Sequence, residues 1–172
     1  MAKQEVFYTP VGSVKFPKTT INDKEYPYLF VPEGLTEDDS TRWQFQLVVD
    51  PEQCKELLAE LDKQHAAIKG ANFKPYKNDK NKNDDGEFVE TGKIAINFTS
   101  GYPIHMIDCV KKECHVQVGW GSRIKVQFTT KAVNNKGKIG VGRYPRVIQV
   151  IDLKEGNVDT SGFEEAEGFT AT

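Results

Sequence analysis

Residues Gly119–Ile151 read GWGSRIKVQFTTKAVNNKGKIGVGRYPRVIQVI. Ile124, Val126 and Phe128 alternate with Arg123, Lys125 and Gln127, the period-2 pattern of a strand with one buried and one cationic face. Tyr144–Leu153 is a further strand, apolar on both faces at Val147, Ile148, Val150 and Ile151, and therefore central in a sheet. Between them lies a loop rich in Lys and Gly, Lys136–Gly142. The stretch carries seven bases, Arg123, Lys125, Lys131, Lys136, Lys138, Arg143 and Arg146, and no Asp or Glu. At the overall acid content a window of this length holds about five, so the stretch forms a surface suited to a polyanion.

Working outward, Arg42–Val49 alternates cleanly. Trp43, Phe45, Leu47 and Val49 share one face, and Arg42, Gln44 and Gln46 share the other, which places Trp43 in the core. Asp50–Gly70 predicts a helix: Asp50 can cap it, Pro51 suits its first position, and Gln53 completes a capping box. Cys54, Leu57, Leu58, Leu61, His65 and Ile68 form its apolar stripe, and Gly70 ends it. Residues 71–87 read as a loop too polar to bury, with Phe73, Lys74, Tyr76, Lys77, Lys80 and Lys82 interleaving aromatics and lysines.

Shorter strands are expected at 93–98, 104–110 and 115–118, and near the start at 5–16 and 28–31, with 17–26 rich in turns. About seven short strands with one helix inserted midway (about 50–70) predict a mainly β, Greek-key barrel of the oligonucleotide-binding (OB) type. A β-sandwich fits the pattern almost as well.

The 172-residue chain is long enough for one domain, 1–154, with a tail, 155–172. Its net charge of −2 conceals a polarity. Five of the 25 acids and none of the 23 bases lie beyond Lys154, so residues 1–154 carry a formal +3. The tail residues Glu155, Asp159, Glu164, Glu165 and Glu167, with Phe163 and Phe169 between them, are too polar to fold alone and predict disorder. No apolar run approaches the roughly 20 residues that span a bilayer, and the first residues lack the apolar core of a signal peptide. Three cysteines, an odd number, do not form a disulfide framework. A soluble, cytoplasmic protein is expected.

Catalytic and metal signatures are weak. His105, Cys109, Cys114 and His115 fall within eleven residues, but without a CxxC pair, and on a strand–turn–strand whose alternate positions face opposite ways. The glycines of 137–142 precede Pro145 and β-branched residues rather than a helix start, so they do not form a phosphate loop. No nucleophile–base pair sits in a recognisable setting. No enzyme activity, metal or cofactor is expected.

Single-strand binding, by contrast, needs cations for the backbone and aromatic faces for bases. Trp120, between Gly119 and Gly121, and Tyr144, between Arg143 and Pro145, are candidate platforms. Tyr102 in a turn, and Phe73, Lys74, Tyr76 and Lys77 in the loop, extend the set. For each aromatic, packing in the barrel is the alternative role.

Several motifs together resemble phage-encoded single-stranded DNA-binding proteins with an OB fold. They are Thr91–Phe98 followed by Pro103 and Asp108, Gly121–Val126 leading into Asn134–Gly137, Gly140–Gly142, the strand 147–150, and the acidic C-terminus. The resemblance implies non-catalytic coating of single-stranded DNA in replication or recombination, inside a bacterial host. It also implies a tail that modulates binding and recruits replication or recombination proteins. Tails of that kind commonly end on an aromatic residue, whereas this chain continues Thr170-Ala171-Thr172. Membrane partners are not expected, and monomer and homodimer are both compatible with the sequence. Two other readings fit the basic face, a protein-interaction or structural module and an RNA-binding OB protein.

Overall fold

Alternating apolar residues build a single curved sheet. The computed structural model describes residues 5–31 and 41–154. Nine strands occur there: β1 (Val6–Tyr8), β2 (Gly12–Ile21), β3 (Lys24–Tyr26), β4 (Thr41–Val49), β5 (Lys77–Lys82), β6 (Phe88–Ser100), β7 (His105–Ile107), β8 (Arg123–Asn135) and β9 (Lys138–Asp152). The order is β5-β6-β4-β2-β8-β9-β7, with β1 paired to β8 and β3 to β2. All pairs are antiparallel except β7 with β9. This open, mixed sheet is OB-like.

The alternation predicted for the two clearest strands holds. Ile124, Val126 and Phe128 on β8 and Trp43, Phe45 and Leu47 on β4 are buried, while Arg123 and Lys125 stay exposed. The Trp43 indole N–H donates to the Phe30 carbonyl at 2.8 Å, which satisfies the one polar atom such a ring brings inside. Phe45 stacks on Phe98 with centroids 5.2 Å apart, and Phe98 meets Phe128 edge-on at 5.0 Å. These contacts join β4, β6 and β8 through the core and curl the sheet until β9 approaches β6. The last strand lies between β8 and β7, but only one of its apolar faces is sealed: Ile148 is fully buried, whereas Ile151 on the other face is 36% exposed.

Several expectations are corrected. The helix is not continuous over 50–70. Asp50 caps a 3-10 turn, Pro51–Gln53, by accepting from the Glu52 amide at 3.0 Å. Cys54 then breaks the path at φ −140°, and α1 runs Lys55–Ala67. Leu61 is buried, and Leu57, Leu58 and Ile68 pack against the core. Residues 71–87 are not all loop, because β5 pairs with β6.

The partner strand supplies that pairing, so an apolar pattern on β5 is not needed. Its buried Asp79 is held by Lys15 Nζ at 2.8 Å and by the Thr91 hydroxyl at 2.9 Å. The turn-rich 17–26 is the end of β2, a two-residue turn at Asn22-Asp23, and β3. The expected strand 104–110 shrinks to β7, and 115–118 keeps only a bridge from Val118 to Leu29. The Lys/Gly loop is a tight hairpin turning at Lys136-Gly137, both at positive φ. No helix among the described residues is long and apolar enough to cross a membrane.

Candidate functional site

The curl of the sheet leaves a groove of about 1050 Å³ between the outward face of β4 and β6, the start of β9, and residues 72–74. Three features of the chain shape it.

First, β2 bulges between Lys15 and Lys18, and a bulge re-aims side chains at a strand's edge. Phe16 sits in it at φ +50°, 57% exposed. It lines the groove and meets Trp120 edge-on at 4.5 Å. Second, β9 carries glycines two residues apart. The Phe73 ring lies against Gly140 and the Tyr144 ring against Gly142, each occupying the place of a side chain. Asn72 fixes the Phe73 segment to the β8–β9 hairpin, accepting from the Ile139 amide at 2.9 Å and donating to the Gly137 carbonyl.

Third, Arg143 reaches from β9 across to β6. Its Nε donates to the Asn97 carbonyl at 2.8 Å and an Nη to the Val141 carbonyl at 3.1 Å. Burial lowers its pKa to about 10, against an opposing contribution from Tyr144. Among the described residues no carboxylate pairs with this half-buried guanidinium, whose bonds there go to backbone carbonyls. Lys18, Lys74 and Lys138 join it, and no Asp or Glu among the described residues lines the groove. Among the described residues Lys18 alone of the four has an ion-pair partner, Glu25 at 2.9 Å on the surface. The site can hold a flexible polyanion that also carries flat rings.

The structure divides the residues singled out in the sequence. Phe73, Lys74, Lys138, Arg143 and Tyr144 come together in the groove. Trp120, 40% exposed, joins through Phe16. Arg123, Lys125, Lys131, Lys136 and Arg146 are exposed but do not line it, and Arg123 lies 3.4 Å from Asp152. Lys77 is exposed on β5.

Tyr76 turns to α1 and donates to Asp62 at 2.8 Å. Burial first, then this bond, push its phenol up to about 12. Tyr102 is 81% exposed in the turn before β7. The tail residues Glu155, Asp159, Phe163, Glu164, Glu165, Glu167 and Phe169 lie outside the described residues.

Sequence reasoning missed Phe16, Lys18, Gln44, Gln46, Asn97 and Thr99 as site residues. The parity of Gln44 and Gln46 had already placed them on the outward face, and the Pro17 beside Phe16 signalled a distorted strand.

The His/Cys group takes another form. Glu113 lies between His105 Nδ1 at 3.9 Å and His115 Nε2 at 3.7 Å. Burial, helped by Asp108 and Glu113, raises the Cys114 pKa. Among the described residues no three His, Cys, Asp or Glu side chains converge as a metal site.

No protein-family model and no curated protein sequence matches the chain. Solved structures do. The fold is similar to gp2.5, a single-stranded DNA-binding protein encoded by bacteriophage T7, at TM-score 0.63 and 14% identity, over 99% of this chain and 100% of that one. It is also similar to the C-terminally truncated single-stranded DNA-binding protein of bacteriophage Enc34, at 0.59 and 11%, over 88% and 87%. The Enc34 protein in complex with single-stranded DNA matches at 0.56 and 11%, over 88% of each chain. The fold is therefore the one these phage proteins share, as the sequence motifs implied.

Proposed function

We propose that the protein binds and protects single-stranded DNA, without strong sequence preference, during replication or recombination of a bacteriophage genome. The observation that carries this reading is the groove, in which Arg143 lies half-buried among aromatic rings and, among the described residues, no Asp or Glu lines the walls or pairs with it. A phosphate supplies the missing anion, and the rings of Phe16, Phe73 and Tyr144, with Trp120 behind Phe16, supply stacking faces. The likeness of fold to phage proteins that bind single-stranded DNA supports the same assignment.

In this reading Lys18, Lys74, Lys138 and Arg143 meet phosphates inside the groove. Arg123, Lys125, Lys131, Lys136 and Arg146 extend the positive field outside it. Binding requires no chemistry, and the protein acts as a coat rather than an enzyme, in the cytoplasm of the bacterial host. The tail, with five acids and two phenylalanines, competes for the groove and docks replication or recombination proteins.

The test is a competition gel shift in which single-stranded DNA, duplex DNA, RNA and heparin each displace a labelled single-stranded oligonucleotide. Single-stranded DNA is expected to compete best. Equal competition by heparin would make the groove a general polyanion surface of an interaction module, and better competition by RNA would make it an RNA site.

A further inference from the structure

Uncharged polar side chains line part of the groove between its aromatic and aliphatic residues. Gln44 and Gln46 on β4 lie opposite Thr99 and Asn97 on β6 in the strand register, so four hydrogen-bonding side chains form a two-by-two block lining the groove. Lys18 extends the Gln44–Thr99 row onto β2. Among the described residues none of the four side chains makes a hydrogen bond. Asn97 is engaged only through its backbone carbonyl, which accepts from Arg143. Asn72, a further amide of the groove, is by contrast already bonded to Gly137 and Ile139.

We infer that this block reads the hydrogen-bonding edges of unpaired nucleobases, and so selects single strands while tolerating any base. The inference rests on the single-stranded DNA reading above. A primary amide offers a donor and an acceptor side by side, and a half-turn of its terminal torsion exchanges them. The pairing edge of every nucleobase also places a donor beside an acceptor. One glutamine can therefore match either order, and the Thr99 hydroxyl both donates and accepts. In a duplex those edges are occupied, so the block finds nothing to bind. Phosphate contacts make no such distinction, because both forms carry phosphates. Stacking is tolerant of base identity but indifferent to the edge.

The experiment compares the full chain with the variant Gln44→Met/Gln46→Met, which keeps side-chain volume and removes both amides. Each is titrated with three oligonucleotides of equal length. One is thymine-only, one carries 2,4-difluorotoluene in place of thymine, with the same ring shape but a much weaker hydrogen-bonding edge, and one is abasic. The unaltered protein is expected to bind the thymine strand about tenfold tighter than the difluorotoluene strand, the worth of one or two hydrogen bonds. The variant, which retains Asn97 and Thr99, is expected to lose most of that discrimination and to keep the affinity and salt slope of the unaltered protein for the abasic strand. Equal binding of thymine and difluorotoluene by the unaltered protein overturns the inference whatever the stability of the variant, and so does a variant that discriminates as strongly as the unaltered protein. Failure of the unaltered protein to bind any strand in a salt-dependent way overturns the single-stranded DNA reading itself.

Discussion

The ring of Phe73 occupies the space that a side chain at Gly140 would fill: a β-carbon there would stand 2.7–2.8 Å from three of its ring atoms. One strand position thus holds an aromatic residue, 67 positions earlier in the chain, at the wall of the groove. Gly142 does the same for Tyr144.

Substituting Gly140→Ala therefore displaces the Phe73 ring without touching any charge. Affinity for oligo-dT is expected to fall about fivefold, the low end of a lost base stack, with an unchanged salt slope. Titration at several salt concentrations checks both. A wild-type affinity would show that the seat of the ring does not matter for binding.

Arg143→Gln removes a half-buried cation that no carboxylate among the described residues pairs with. Loss of one phosphate contact is expected to flatten the slope of log K against log salt by about 0.7 on single strands. Exposed Lys125, outside the groove, serves as the comparison, and Lys125→Gln is expected to move affinity less than Arg143→Gln. The reverse ranking would place the DNA on the outer face of β8.

Phe128 joins the aromatic cluster of β6 and β8 and is fully buried. Phe128→Ala is expected to destabilise the fold by about 3–5 kcal/mol, the cost of a large core cavity. Urea denaturation followed by circular dichroism measures it, and a loss below about 1 kcal/mol would contradict the packing described.

Tyr76 is held protonated in the folded chain, with a pKa raised from 10.0 to about 12 by burial and by its bond to Asp62. A raised folded pKa contributes stability that is complete below pH 10 and is lost as pH rises from about 10 through about 12. Tyr76→Phe is expected to decline less steeply across that window. Thermal melts of both proteins between pH 9 and 12 decide it, and identical profiles would remove the Tyr76–Asp62 contact from the account.

Removing residues 155–172 deletes five acids and no base. If the tail competes for the groove, the truncated protein binds oligo-dT more tightly, most visibly at low salt, where charge competition is least screened. Unchanged or weaker binding would show that the tail does not enter the groove.

Much of the fold was legible because it rests on alternation. Trp43, Phe45 and Leu47 on β4 and Ile124, Val126 and Phe128 on β8 declared their faces through parity alone. Strand β5 was hidden because KNDKNK has no apolar pattern: its pairing comes from β6, and the Lys15–Asp79 contact that anchors it spans 64 positions. The groove was half legible for a related reason. Charge and aromatic content singled out Phe73, Arg143 and Tyr144, but parity tells which face a residue takes and not what lies opposite. Gln44 and Gln46 thus read as plain solvent-facing positions. Phe16 was obscured by the bulge that exposes it, and the meaning of Gly140 and Gly142 lay in rings placed on them by tertiary structure.

The central claim, that the groove binds single-stranded DNA through phosphates and stacked bases, is tested most directly by titrating Trp120 emission with oligo-dT at low and at physiological salt. Trp120 stands beside Phe16 at the groove, whereas Trp43 is sealed in the core. The expected result is saturable quenching, with log K falling by about 0.7 per neutralised phosphate for each tenfold rise in salt. The absence of quenching, together with binding that is undetectable or insensitive to salt, would contradict the account.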